Sequence, residues 1–296
     1  MKIYLDTNII RSTHNHFNDE PHISQAIIAC SYLNIFEILS GMNEKEYFIR
    51  RAMLRNVFSS KVEIKWKEPR EILGSCFRVL RAEASDSTNH FKLAKEVCKC
   101  ESYREAKGLQ NELDIEQLIE LDKKIGEHAN SEIESNYTRM VEEVGLSVRD
   151  EARKEIDNEG GVLTLSLESK ENILQQMISK HANLIYQMAN GKNYGYTVDE
   201  LIRSYDGTLD VYFCASIYCQ IKKLIFGNAL GKNDYFDVSH FLYIDQNIAS
   251  IVSRDKLVKN ICLSFFPQKY TDPERFYSMM GWKNGVDLAI PGSVDI

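Results

Sequence analysis

The stretch Lys2-Ile3-Tyr4-Leu5-Asp6-Thr7-Asn8 reads as a short β-strand that stops at a turn. Ile, Tyr and Leu favour extended backbone, whereas Asp, Thr and Asn leave strands and cap helices. Ala26-Ile27-Ile28-Ala29-Cys30 makes a second such run. Ser31 follows at once, and its hydroxyl can cap a helix that carries Leu33, Phe36 and Leu39 and stops at Gly41. Asn43 to Ser59 predicts a further helix, and Val62 to Trp66 alternates like a strand that ends before Pro69. Strand alternating with helix predicts an α/β fold with a parallel sheet.

Beyond Arg70 the pattern stays helical for more than a hundred residues. Leu118, Ile125, Ile133, Val141 and Val144 lie near helical spacing, and Ile173, Met177, Leu184 and Met188 form a second stripe. Thr197-Val198-Asp199-Glu200 is a capping box, and a helix is expected from Leu209 to Phe226. Alternation then resumes with a helix at Asp237 to Tyr243, a strand at Ile248 to Val252, a turn through Asp255 and a last strand at Ile261 to Phe265. The expected organisation is an α/β core split in sequence into 1–70 and 208–296 around a helical insertion at 71–207, with an extension at the C-terminal end.

Charge separates the same regions. The 296 residues hold 36 Lys+Arg against 43 Asp+Glu, a net charge of −7, with 44% apolar residues and 5 prolines. That composition excludes disordered and collagen-like chains. Glu101 to Glu159 alone contains 17 acidic and 8 basic residues, a balance of −9, which leaves 28 basic against 26 acidic residues elsewhere, a balance of +2. Neither His22 to Phe36 nor Val211 to Ile221 reaches the ~18 apolar residues that span a bilayer. Asp6 interrupts the first apolar run, so an export signal is not expected, and a cytoplasmic location with no membrane partner is. Seven cysteines without a C-x-x-C pair predict reduced, mostly buried thiols.

In an open parallel sheet, ligands bind beyond the carboxyl ends of the strands. Asp6 and Asp255 sit just past such ends, whereas Asp245 precedes its strand and belongs to the opposite edge. Glu37 lies in the helix after the second strand, and Asp234 and Asp237, three residues apart, can share a helix face. Carboxylates gathered in one crevice repel, so either some protonate or a cation neutralises them. Hard oxygen donors suit Mg²⁺ or Mn²⁺, and such ions suit phosphodiester hydrolysis. The plainer reading is that acids at strand ends cap helices or pair with Lys and Arg.

Other features sort more simply. His14, His16 and His22 lie in a polar segment without zinc-site spacing and are expected to be exposed. Cys98, Cys100, Cys214 and Cys219 read as core or half-buried thiols, and Gly160-Gly161 as a turn. His240, three residues after Asp237, either faces the crevice or packs the helix. Between Lys45 and Arg70, Arg50, Arg51, Arg55, Lys61, Lys65 and Lys67 are interleaved with Tyr47, Phe48, Phe58 and Trp66. Cations that contact phosphate beside rings that stack bases make this the candidate nucleic-acid surface.

Four fragments in order, Lys2 to Ile9, Ser31-Tyr32-Leu33-Asn34-Ile35-Phe36-Glu37, Asp237-Val238-Ser239-His240 and Ile251-Val252-Ser253-Arg254-Asp255, resemble the successive motifs of the PIN-domain nucleases. The resemblance covers about the first 70 residues and roughly Asn233 to Phe266. It implies a three-layer α/β/α sandwich and Mg²⁺- or Mn²⁺-dependent cleavage of RNA, less often DNA. Asp6, Glu37, Asp237 and Asp255 match that family's four acidic positions, Thr7, Asn8 and Ser253 match small polar supports, and Asp234 is an additional candidate ligand. Compact members, among them the toxins of toxin–antitoxin pairs, lack a helical block like that between Trp66 and Leu209, so a toxin or defence role does not carry over directly. Two other readings stand beside the nuclease. One is an inactive PIN-like scaffold that binds nucleic acid, and the other makes the acidic insertion a docking face for a protein partner or a second copy.

Overall fold

The computed structural model describes residues 1–19, 26–80, 88–109, 111–125, 153, 154, 156, 158–188, 195–226 and 232–282. Its centre is a five-stranded, all-parallel sheet in the order β3-β2-β1-β4-β5, formed by β1 (Lys2–Leu5), β2 (Ile27–Ser31), β3 (Glu63–Lys65), β4 (Ile248–Val252) and β5 (Tyr270–Thr271). Ile3, Tyr4 and Leu5 on β1 and Ile251 and Val252 on β4 are fully buried. That continuous apolar lining is what a parallel sheet needs when helices cover both faces.

The chain moves from β1 through β2 to β3 on one side of the sheet and from β4 to β5 on the other. Parallel crossovers are right-handed, so helices following strands in opposite directions fall on opposite faces. The helices α1 (Thr7–Thr13), α2 (Tyr32–Ser40) and α3 (Tyr47–Ser59) pack on one another. The helices Asp210–Phe226, Lys232–Ser239 and Lys256–Phe265 form the other group. The result is the α/β/α sandwich with a parallel central sheet, joined to further helices between β3 and β4.

Those further helices leave and re-enter the core at one place. Phe77 and Tyr205 form an antiparallel bridge, flanked by hydrogen bonds from Arg78 N to Ser204 O at 3.0 Å and from Asp206 N to Cys76 O at 3.1 Å. The expected capping box is present, with Thr197 Oγ1 accepting from Glu200 N and Glu200 Oε2 accepting from Thr197 N. The stripe on Leu167–Met188 is not buried along its length: Leu184 is 51% and Met188 68% exposed, whereas Ile178 and Ala182 are buried. Ile133, Val141, Val144 and His22 lie outside the described residues.

Three local expectations change. The helix expected at Asp237 to Tyr243 instead spans Lys232–Ser239, which places Asp237 near its end, and a 3₁₀ turn covers His240–Tyr243. Ile261–Phe265 is not a strand but the second half of a helix that Asp255 caps, and Leu257, Val258, Ile261, Cys262 and Phe265 form its buried stripe. The last strand is Tyr270–Thr271, too short for a recognisable apolar run. His14 is buried rather than exposed, because its Nδ1 meets Asn56 Nδ2 at 2.9 Å under α3. All seven cysteines are free, and among the described residues no helix is long and apolar enough to cross a membrane.

Because Ile251 is paired on both sides within β4 and has no exposed surface, Ile251→Ala should lower the unfolding free energy by about 2–5 kcal/mol. A urea titration followed by circular dichroism measures this as a lower midpoint at unchanged slope.

Candidate functional site

The order β3-β2-β1-β4-β5 reverses direction between β1 and β4, and an open α/β sheet forms its ligand crevice at such a switch point. Register then brings distant residues together. Leu5 pairs with Val252, so the next residue on each strand leaves the sheet at the same height. Asp6 N donates to Val252 O at 3.1 Å, and Ser253 Oγ donates to Asp6 Oδ2 at 2.6 Å. Asp6 also caps α1 through a bond from Asn8 N, and Asp255 caps its own helix by accepting from Leu257 N at 2.6 Å and Val258 N at 3.3 Å. Capping and crevice lining therefore hold together for both residues.

A cleft of about 300 Å³ opens at this edge, lined by Asp6, Thr7, Asn8, Glu37, Ser40, Gly41, Arg50, Asp122, Phe236, Asp237 and Asp255. It thus gathers Asp6, Glu37, Asp237 and Asp255 from the β1 end, α2, the helix Lys232–Ser239 and the β4 end. Thr7 and Asn8 line it too, and Ser253 supports it through Asp6. His240 is buried behind it, with Nε2 2.9 Å from Glu37 Oε2 and Nδ1 2.6 Å from the Tyr4 hydroxyl. Asp234 sits on the helix that carries Asp237, but it is not among the lining residues, and its charge acts on Cys219.

The basic stretch divides. The Arg50 guanidinium lies over Gly41, donates from Nη1 to Glu37 O at 2.9 Å and forms part of the cleft wall. A Cβ at Gly41 would come within 2.3 Å of that guanidinium, so glycine is what lets the arginine lie there. Arg51 and Arg55 both donate to the Cys98 carbonyl, at 3.3 and 2.7 Å, and so tie α3 to the turn after Thr88–Val97. Lys65 spans to Tyr243 O and to Asp245 Oδ2 at 2.6 Å, while Lys61 and Lys67 are exposed. Of the aromatics, Tyr47 is buried, Phe58 and Trp66 stack on each other, and Phe48 is exposed.

Asp122 is the charged lining residue that the sequence did not single out. It belongs to the helical residues 115–125, and nothing in its local pattern distinguishes it from the other acids of that segment. Only the return of the insertion over α2 and α3 puts it at the cleft.

Electrostatics follow from the crowding. Burial raises the Asp237 carboxyl to about 8, helped by the charges of Asp255, Asp6 and Glu37 and opposed by His240. Burial also raises Asp6, against the favourable His240 charge and the Ser253 hydrogen bond. Burial pulls His240 down, but Glu37, Asp6 and Asp237 outweigh it and the imidazole stands above its ordinary value. Five carboxylates line the cleft beside one guanidinium.

That donor set fits a hard divalent cation: Mg²⁺ commonly keeps several waters and takes only one or two carboxylates. It does not form a closed cage, since among the described residues no group of three or more His, Cys, Asp or Glu side chains is placed to hold a metal ion. Comparisons with protein-family models, with characterised proteins and with solved structures find no match, so the reading of the site rests on its own geometry.

Asp237 carries a pH signature. Its folded value of about 8 lies above the ordinary aspartate value of 3.8, so between those values the folded state holds a proton that the unfolded state has released. This contribution is complete below about pH 4 and is lost as pH rises through 8. In EDTA, wild-type Tm should fall from pH 5 to pH 8 by more than that of Asp237→Asn, as read by differential scanning calorimetry; equal slopes would contradict it.

Proposed function

We propose that this protein is a divalent-metal-dependent endoribonuclease with a PIN-like site. One observation carries the reading: Asp6, Glu37, Asp237 and Asp255 converge from four separate elements on the cleft at the sheet's switch point, with more negative charge than the neighbouring cations offset. Asp6, Glu37, Asp237 and Asp255 would hold Mg²⁺ or Mn²⁺, with Asp234 a more distant candidate. When bound, such an ion polarises a phosphoryl oxygen and lowers the pKa of water.

The chain's own residues set the rest. Asp6 is fixed by Ser253 and by the Asn8 amide, and Asp255 by the helix it caps, so neither carboxylate has to reorganise when a substrate arrives. The guanidinium of Arg50 is the cation of the cleft wall, suited to a phosphate, whereas Lys61 and Lys67 are exposed on the same α/β unit without lining the cleft. RNA rather than DNA rests on the family resemblance; a role as a toxin or defence effector does not carry over from it, because the compact members lack the helical insertion. The acidic insertion suits a basic protein partner or a second copy better than a polyanion.

A second reading has its own support. Both Asp6 oxygens accept hydrogen bonds from protein donors, and Glu37 Oε2 accepts two, which suits a nucleic-acid-binding scaffold without catalysis. The two readings separate in one assay. With millimolar Mn²⁺ or Mg²⁺ the protein should cleave single-stranded or structured RNA, and Asp6→Asn and Asp237→Asn should each fall below about one per cent of the wild-type rate, the scale of losing one electrostatic contributor. Cleavage that persists in both folded variants sinks the nuclease, and RNA binding without any cleavage favours the scaffold.

A further inference from the structure

The side chains around Glu37 close into a ring. The Tyr4 hydroxyl meets His240 Nδ1 at 2.6 Å, and His240 Nε2 meets Glu37 Oε2 at 2.9 Å. Thr7 Oγ1 donates to the same Glu37 oxygen at 2.5 Å, Asn34 Nδ2 donates to Thr7 Oγ1 at 2.9 Å, and Asn34 Oδ1 returns to the Tyr4 hydroxyl at 3.0 Å. Tyr4, Asn34 and His240 are buried, and Ser31 anchors the ring from outside, its N–H donating to Asn34 Oδ1 at 2.7 Å.

The direction of the bonds follows from Glu37. A carboxylate only accepts, so Thr7 must give it the hydroxyl hydrogen and His240 must carry a hydrogen on Nε2. The Thr7 oxygen is then left to accept from the Asn34 amide, which turns Asn34 Oδ1 towards Ser31 and Tyr4. Both bonds to Glu37 fall on Oε2. Neither His240 nor Tyr4 lines the cleft, while Glu37 and Thr7 do.

We infer that Tyr4, His240, Asn34 and Thr7 are positioning residues that hold Glu37 by Oε2 and leave Oε1 as the single oxygen it offers to the cleft. The inference rests on the metal-dependent reading above and adds to it that Glu37 acts through one oxygen. Supporting partners of this kind typically tune metal affinity or activity 10–100-fold.

The test is calorimetric titration of Mn²⁺ into the full-length protein, with RNA cleavage measured alongside. His240→Ala and Thr7→Val should weaken Mn²⁺ binding by about 10–100-fold and lower kcat while leaving KM for RNA unchanged. His240→Gln, whose amide can still donate to Oε2, should recover most of the loss. Thr7→Val keeps the side-chain shape and decides the matter if His240→Ala does not fold. Wild-type Mn²⁺ affinity and kcat in a folded Thr7→Val protein would overturn the inference while leaving the nuclease standing. Mn²⁺ binding that weakens in both variants, in a protein that cleaves no RNA, would uphold the ring and remove the nuclease. Absence of Mn²⁺ binding by the wild type would overturn both.

Discussion

The pairing of β1 with β4 is the constraint on which the rest of this protein depends. Leu5 and Val252 are nearly 250 positions apart in the chain, yet they are neighbours in the sheet, and each ends its strand at the same edge. Parallel pairing makes both carboxyl ends point the same way, and the reversal of strand order at this pair keeps the helices from closing over the gap. Asp6, Ser253 and Asp255 meet there because of that register. A shift of one residue would turn each of these side chains to the other face.

The crowding of carboxylates is a consequence of the same geometry. Asp6 and Asp237 stand above their ordinary values chiefly because they are buried; the Glu37 charge adds to both, and those of Asp255 and Asp6 add to Asp237. The structure offsets part of the charge from within. Helix amides cap Asp6 and Asp255, a hydroxyl and an imidazole hold Glu37, and Arg50 lies along the wall. Much of the chain's net acidity belongs to the insertion, and Asp122 shows that the insertion also reaches the cleft.

Elements with a strong local signal were legible in the sequence. β4 runs over the residues expected of it, the Thr197–Glu200 capping box is formed, and Asp210–Phe226 begins within one residue of its expected start. Where local chemistry was ambiguous the reading slipped. The mostly apolar segment Ile261–Phe265, interrupted only by Ser264, suits a strand or a buried helix equally, and the cap at Asp255 decided for helix. The basic residues of α3 looked like a phosphate surface, yet Arg51 and Arg55 are spent on one carbonyl of the insertion, a partner that no pattern within α3 could reveal.

What the sequence by itself determined is the class of fold, and it singled out four acids, Asp6 and Asp255 just past strand ends and Glu37 and Asp237 within helices, because period and capping are local properties of a few neighbouring residues. What only the tertiary structure decided is how those acids are held: the ring from Tyr4 through His240 to Glu37 and Thr7, the Ser253 bond to Asp6, and the arrival of Asp122. These hydrogen bonds join residues from 30 to 247 positions apart. Their distances are set by strand register and helix packing, and neither is written in the spacing of any one segment.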